Sequence, residues 1–190
     1  DKSRFMAYAD GDLPDPKGDD EFVVGWNHPP KVDKQSSYEK LKMAFTFVLT
    51  TSGAPTIYYG DEIGMTGAQD PDNRRMFPDL AKLTSAEKSV QTHVARLNAL
   101  RAKHPAIRYG SRRAVMVGRN EYAVIRAYLQ DRILILYNRS EKPSKLNLEV
   151  GPEFRDGLLR DRLGSSTELT VQNGSLSVEL PANSTLLLAP

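Results

Sequence analysis

The sequence predicts the closing portion of a (β/α)8 barrel, residues 1–108, followed by an all-β antiparallel sandwich domain, residues 109–190. Three observations carry this. Up to about residue 108, apolar residues recur at helical spacing; from Tyr109 onward the period drops to two. Between the two helical patterns lies one short apolar run, Thr56-Ile57-Tyr58-Tyr59. It opens on the turn Gly53-Ala54-Pro55 and closes on Gly60-Asp61-Glu62, before a loop bearing Asp70, Asp72, Arg74 and Arg75. A buried strand that delivers acids and arginines at its C-terminal end has the form of one spoke of a (β/α) barrel, where chemistry sits at that end.

The run at 56–59 reads as a strand because β-branched and aromatic side chains fit a pleated, packed surface. The helix before it spans 36–52, capped by Ser36 or Ser37. Tyr38, Leu41, Phe45, Val48 and Leu49 form its apolar stripe, and Gly53 and Pro55 stop it. The helix after it spans 85–104. Thr84 and Glu87 form a capping box; Val90, Val94, Leu97 and Leu100 make the stripe, and Pro105 ends it. His93 and His104 read as helix residues, not ligands, since no His/Glu spacing fits a zinc site. Residues 10–35, rich in Asp-Gly and Pro, read as a long loop. Its Trp26 either pins the loop to the body or stacks on a ligand.

In the second half, Ala114–Val117, Tyr122–Tyr128, Arg132–Tyr137, Lys145–Val150, Leu169–Val171, Leu176–Leu180 and Thr185–Leu188 read as strands. Gln130-Asp131 marks one hairpin, and Asn173-Gly174, a strong short turn signal, marks another. Short strands at such spacing indicate a sandwich.

With 190 residues, 39% hydrophobic and 26% charged, the composition is that of an ordinary globular protein. A complete barrel takes about 250 residues, so the expectation is a C-terminal fragment. A net charge of +2 gives no field for nucleic acid. There is no cysteine, hence no disulfide framework and no thiolate metal site. No run of 18 apolar residues suggests a membrane segment.

The stretch Gly53–Met65, GAPTIYYGDEIGM, resembles the last barrel strand of the α-amylase family, glycoside hydrolase family 13. The tail Asp70-Pro71-Asp72-Asn73-Arg74-Arg75 is similar to the neopullulanase, cyclomaltodextrinase and maltogenic amylase group. Asp1 with Arg4-Phe5 resembles the tail of the family's Asn-His-Asp motif. The resemblance implies that Asp1 is the third catalytic carboxylate, a transition-state stabiliser, with the nucleophilic Asp and proton-donating Glu upstream of residue 1. It implies that Asp70 and Arg74 bind substrate, against the alternative that they form a local ion pair shaping the loop. Arg4, Asp61 and Glu62 would orient the site through hydrogen bonds.

The implied parent is a retaining glycoside hydrolase acting on α-1,4-glucans, with the 190 residues alone inactive; the alternative is a non-catalytic structural or carbohydrate-binding module. The expected partners are an α-glucan and the missing N-terminal part of the barrel, with room for a homo-oligomer. No cofactor is expected in this chain, and any calcium would sit in that missing part. A bacterial enzyme of periplasm or cytoplasm is the expected setting.

Overall fold

The computed structural model describes residues 2–10 and 25–190, with the side chain of Asp10 excepted. Asp1 and most of the predicted 10–35 loop lie outside the described residues. The chain divides into two compact units, Asp1–Lys42 with Thr56–Val94, and Met43–Pro55 with Ala95–Pro190.

The first unit holds helix α1, Phe5–Asp10, the start of α2, Gln35–Thr50, and the start of α3, Ser85–Lys103. The α3 capping box forms as expected: Glu87 N–H donates to Thr84 Oγ1 at 3.3 Å, and Thr84 N–H donates to Glu87 Oε2 at 2.7 Å. The stripe Val90, Val94, Leu97 and Leu100 is buried. In α2, Leu41, Phe45 and Leu49 are buried, but Val48 is 42% exposed and leaves the predicted stripe.

Between these helices the expected buried strand does not form. Thr56–Tyr59 runs without a ladder, and Tyr58 and Tyr59 are 45% and 38% exposed. A barrel strand takes its hydrogen bonds from two parallel neighbours, and among the described residues none pairs with it. The chain instead passes into 3-10 turns at Asp61–Ile63, Asp72–Arg74 and Leu80–Lys82. Gly64 closes the first at φ +75, where a Cβ would also stand 2.9 Å from the Tyr38 ring.

Pro105 does not only end a helix. It occupies the first turn of α4, Pro105–Tyr109, where a missing N–H costs nothing. Beyond it the second unit builds eight strands among the described residues: β1 Ser111–Val117, β2 Glu121–Tyr128, β3 Asp131–Asn138, β4 Ser144–Glu149, β5 Gly157–Asp161, β6 Glu168–Val171, β7 Ser175–Leu180 and β8 Ser184–Ala189. Six form one antiparallel sheet in the order β1-β2-β3-β8-β5-β6; β4 and β7 pair as a second. Strand β4 alternates as predicted, with Leu146 and Leu148 buried between exposed Lys145, Asn147 and Glu149.

The two sheets share one core. Ile125, Leu134 and Leu136 of the larger sheet belong to the same buried cluster as Leu148, Val178 and Leu180 of the smaller. Burying each such side chain is worth about 2 kcal/mol, so the predicted sandwich is the arrangement that hides both apolar faces. The β2–β3 turn is Leu129-Gln130, not Gln130-Asp131, because Asp131 already pairs with Tyr128. Asn173 and Gly174 take φ +51 and +71, the two left-handed residues that a tight hairpin requires. No helix among the described residues is long and apolar enough to cross a membrane.

Candidate functional site

The loop after residue 59 is held by two buried ionic groups. The first is Arg4, whose side chain is 1% exposed. Its Nε donates to the Asn73 carbonyl at 2.9 Å, and its Nη1 to the Tyr59 carbonyl at 2.7 Å and to Asp61 Oδ1 at 2.9 Å. Its guanidinium lies over the rings of Tyr58 and Tyr59, with centroids at 4.6 and 4.8 Å. The backbone joins in: Arg4 N–H donates to the Gly67 carbonyl at 2.9 Å, and Asn73 Nδ2 donates to the Lys2 carbonyl at 2.9 Å. Residues 2–4 are thereby tied to both ends of the 59–73 segment. The planar guanidinium meets these three acceptors with donors held in a fixed fork.

Burial raises the Asp61 pKa above its ordinary value; the charge and hydrogen bond of Arg4 oppose the rise, and the neighbouring Glu62 charge adds to it. Glu62 is half-buried, and its Oε2 is buried without a hydrogen-bond partner among the described residues. Ser3 Oγ, Arg4 Nη2, Thr66 Oγ1 and Asn73 Oδ1 share that condition. Besides Arg4 itself these are its chain neighbour Ser3, its partner Asn73, and Glu62 and Thr66, which adjoin its partners Asp61 and Gly67, so the unmet polar capacity concentrates at this junction.

The second ionic group is Asp72, fully buried in the 3-10 turn Asp72–Arg74. Its Oδ2 accepts from Ala68 N–H at 2.6 Å, and its Oδ1 from Arg75 Nε. Arg75 in turn donates from Nη2 to the Trp26 carbonyl at 2.8 Å and stacks on the indole, 4.5 Å from the ring centroid. Tyr59 Oη donates to the Arg75 carbonyl at 3.1 Å. Trp26 therefore pins its own segment, one of the two roles the sequence suggested. Gly25 makes the approach feasible, since a Cβ there would fall 2.4 Å from Ala68 Cβ.

Asp70 and Arg74 also meet, with Nε to Oδ1 at 3.0 Å, but this pair stands in solvent, with side chains 39% and 54% exposed. Four residues that the sequence singled out, Arg4, Asp61, Asp70 and Arg74, fall in two contacting pairs, the second being the local ion pair given as the alternative to substrate binding, while Asp1 lies outside the described residues. It missed Asn73 and Arg75 and gave Asp72 no structural role. The one available signal was the i,i+3 spacing of Asp72 and Arg75, which on a helical turn brings the two side chains together.

Residues 30–96 match the family model described as the α-amylase catalytic domain. A cyclomaltodextrin glucanotransferase of Geobacillus stearothermophilus is 32% identical over 157 residues, covering 82% of this chain and 20% of the relative. A maltogenic α-amylase of Bacillus acidopullulyticus is 31% identical over 170 residues, covering 85% of this chain and 28% of the relative. The crystal structure of an Anoxybacillus α-amylase superposes with a TM-score of 0.72 at 28% identity, over 81% of this chain and 33% of that one. The chain thus spans 20% and 28% of the length of these two curated relatives. The architecture is of the amylase class, and its antiparallel half fits the C-terminal domain of such enzymes. Residues 30–96 thus match the α-amylase family model, and over most of its length the chain is similar to members of that family.

Proposed function

We propose that this chain is the C-terminal part of a retaining α-glucan hydrolase, with residues 1–108 closing the catalytic barrel and 109–190 forming the β-sandwich that follows it. The observation that carries the reading is the Arg4 junction. It ties the segment that directly follows Asp1 to the segment that leads to Asp70 and Arg74.

In this reading an upstream Asp attacks the anomeric carbon and an upstream Glu protonates the leaving oxygen. Asp1 accepts hydrogen bonds from sugar hydroxyls, and those bonds tighten as the ring flattens toward the oxocarbenium-like transition state. Arg4 and Asp61 hold the backbone on either side, and Glu62 supports the same turn. Asp70 and Arg74, exposed at the loop surface, exchange their mutual ion pair for bonds to sugar hydroxyls, the carboxylate accepting and the guanidinium donating. An exposed pair of this kind is worth about 0–1 kcal/mol to the fold, so releasing it to a ligand costs little.

Two experiments test this. A sensitive maltooligosaccharide assay on the pure 190-residue chain is expected to show no turnover, and genuine turnover overturns the fragment reading. In the complete enzyme, Asp1→Asn is expected to abolish hydrolysis with binding retained. Arg74→Ala should raise KM for long substrates and leave kcat nearly unchanged. Binding with no hydrolysis in the complete wild-type protein would instead favour a non-catalytic carbohydrate-binding module.

A further inference from the structure

The β-sandwich unit carries an aromatic surface that the loop of Asp70 and Arg74 does not account for. Tyr109 ends α4 and Tyr128 ends β2; they are 65% and 40% exposed. Their ring centroids are 5.9 Å apart, and the planes incline at 54°. Among the described residues neither phenol hydroxyl is engaged in a hydrogen bond. The Arg108 guanidinium lies 5.1 Å from the Tyr109 centroid, and the neighbouring Leu129 is 77% exposed.

The pair is held in place from below. Asp131 accepts from Ala106 N–H at 2.8 Å and contacts His104 Nδ1 at 2.8 Å, fastening the start of α4 to β3. Buried Arg126 donates to the carbonyls of Ala106 at 3.3 Å and Ile107 at 3.2 Å, fastening the helix to β2. Gly110 lets the two elements touch: a Cβ there would stand 2.3 Å from the Ala106 carbonyl oxygen and 2.9 Å from that of Ala127. The fold therefore spends buried hydrogen bonds and a glycine on bringing two tyrosines side by side in solvent.

We propose that Tyr109 and Tyr128 form a binding platform for α-1,4-glucan chains on the β unit. The inference rests on the reading of the parent protein as an α-glucan hydrolase. A pyranose ring has an apolar C–H face and a rim of hydroxyls. A tyrosine has an apolar face and a polar tip, and it orders at low entropy cost because it turns on only two torsions. Two inclined rings receive successive, mutually rotated glucose units of a coiled α-glucan better than the flat ribbon of a β-glucan. Arg108 supplies donors at the edge. A protein partner fits less well. Two tyrosines at this exposure offer on the order of 100–200 Å², well below the roughly 800 Å² per partner of a stable protein interface.

The test is affinity electrophoresis of the full chain through gels containing amylose or hydroxyethylcellulose. Wild type should be retarded by amylose and not by the β-glucan. Tyr109→Ser/Tyr128→Ser should weaken amylose binding about tenfold or more, while Tyr109→Phe, which keeps the ring, retains most of it. Lys145→Ala, at an exposed position of β4, should leave the retardation in place. If the double variant loses its circular dichroism signature, Tyr109→Ser alone, at the more exposed position, provides the same reading. Absence of retardation in the wild type, equal retardation by both polymers, or unchanged binding in the tyrosine variants each overturns the proposal. Loss of binding in Arg74→Ala with the tyrosine variants unaffected overturns it too, yet leaves the hydrolase reading standing, which the turnover assay judges on its own.

Discussion

Arg4 and Asp61, 57 positions apart in sequence, meet at 2.9 Å with the arginine almost wholly buried. The same guanidinium also satisfies the carbonyls of Tyr59 and Asn73. An arginine close to the start of the described chain is thus the anchor of a loop that begins more than fifty residues later.

Removing that anchor should be costly. Arg4→Ala leaves Asp61 and two carbonyls without their donor, and breaking a buried pair in this one-sided way typically costs about 3–5 kcal/mol. Arg4→Lys keeps the charge but not the planar fork, so an intermediate loss is expected. Urea unfolding of both variants against wild type measures the difference. Equal stability of Arg4→Lys and wild type would show that charge alone suffices.

The raised pKa of Asp61 sets a pH dependence with a definite sign. Folded Asp61 holds its proton more tightly than unfolded Asp61, because burial disfavours the charged form. Between the ordinary value of 3.8 and the raised folded value the native state therefore binds more protons, and stability falls as pH rises. Its favourable contribution is complete below 3.8 and is lost above that window. The stability of wild type relative to Asp61→Asn should accordingly decline as pH increases through the window. A carboxyl-carbon NMR titration of Asp61 checks the direction independently. In Arg4→Ala the midpoint should move higher still, since an opposing charge is gone.

The elements legible in the sequence were those whose signal is local. The α3 cap follows from Thr84 and Glu87, three positions apart, and the β4 face follows from strict alternation. The run at Thr56–Tyr59 misled because composition reports a preference for pairing, and not whether a neighbouring strand exists. Strand β5 escaped notice because Leu158 and Leu159 sit among Asp156, Gly157, Arg160 and Asp161, too short and polar a run to show a period. At the site, the family-like motifs singled out Arg4, Asp61, Asp70 and Arg74. Nothing local could have joined Arg75 to Trp26, 49 positions away, because that contact depends on a chain reversal with no periodic signature.

That contact gives an optical prediction. Trp26 is the sole tryptophan of the chain, so its fluorescence reports on Arg75 alone of the charged loop residues stacked upon it. Arg75→Ala removes the stacked guanidinium and the bond to the Trp26 carbonyl, and should shift the emission to the red with increased acrylamide quenching. Asp72→Asn weakens the acceptor that aims Arg75 and should produce a smaller change of the same sign. An unchanged spectrum in Arg75→Ala would mean that the indole is held by other contacts.

Asn138 offers the corresponding test in the β unit. It lies wholly buried at the end of β3. Its amide is already committed. Nδ2 donates to the carbonyls of Lys142 at 2.9 Å and Pro181 at 2.8 Å, with a longer bond to Leu180 at 3.3 Å, while Oδ1 accepts from Ser140 N–H at 2.9 Å. One side chain thereby joins the β3–β4 connection to the β7–β8 connection through bonds that are buried or partly buried. Asn138→Leu fills similar volume but leaves those backbone groups unmet, at about 1–3 kcal/mol for each buried group that finds no substitute. A loss of at least 2 kcal/mol in urea unfolding is therefore expected. Asn138→Asp, which keeps an acceptor for Ser140 but loses the donor, should be destabilising as well, and less so at acid pH, where the protonated carboxyl can again donate. An Asn138→Leu variant as stable as wild type would show that the two connections are held by the strands alone.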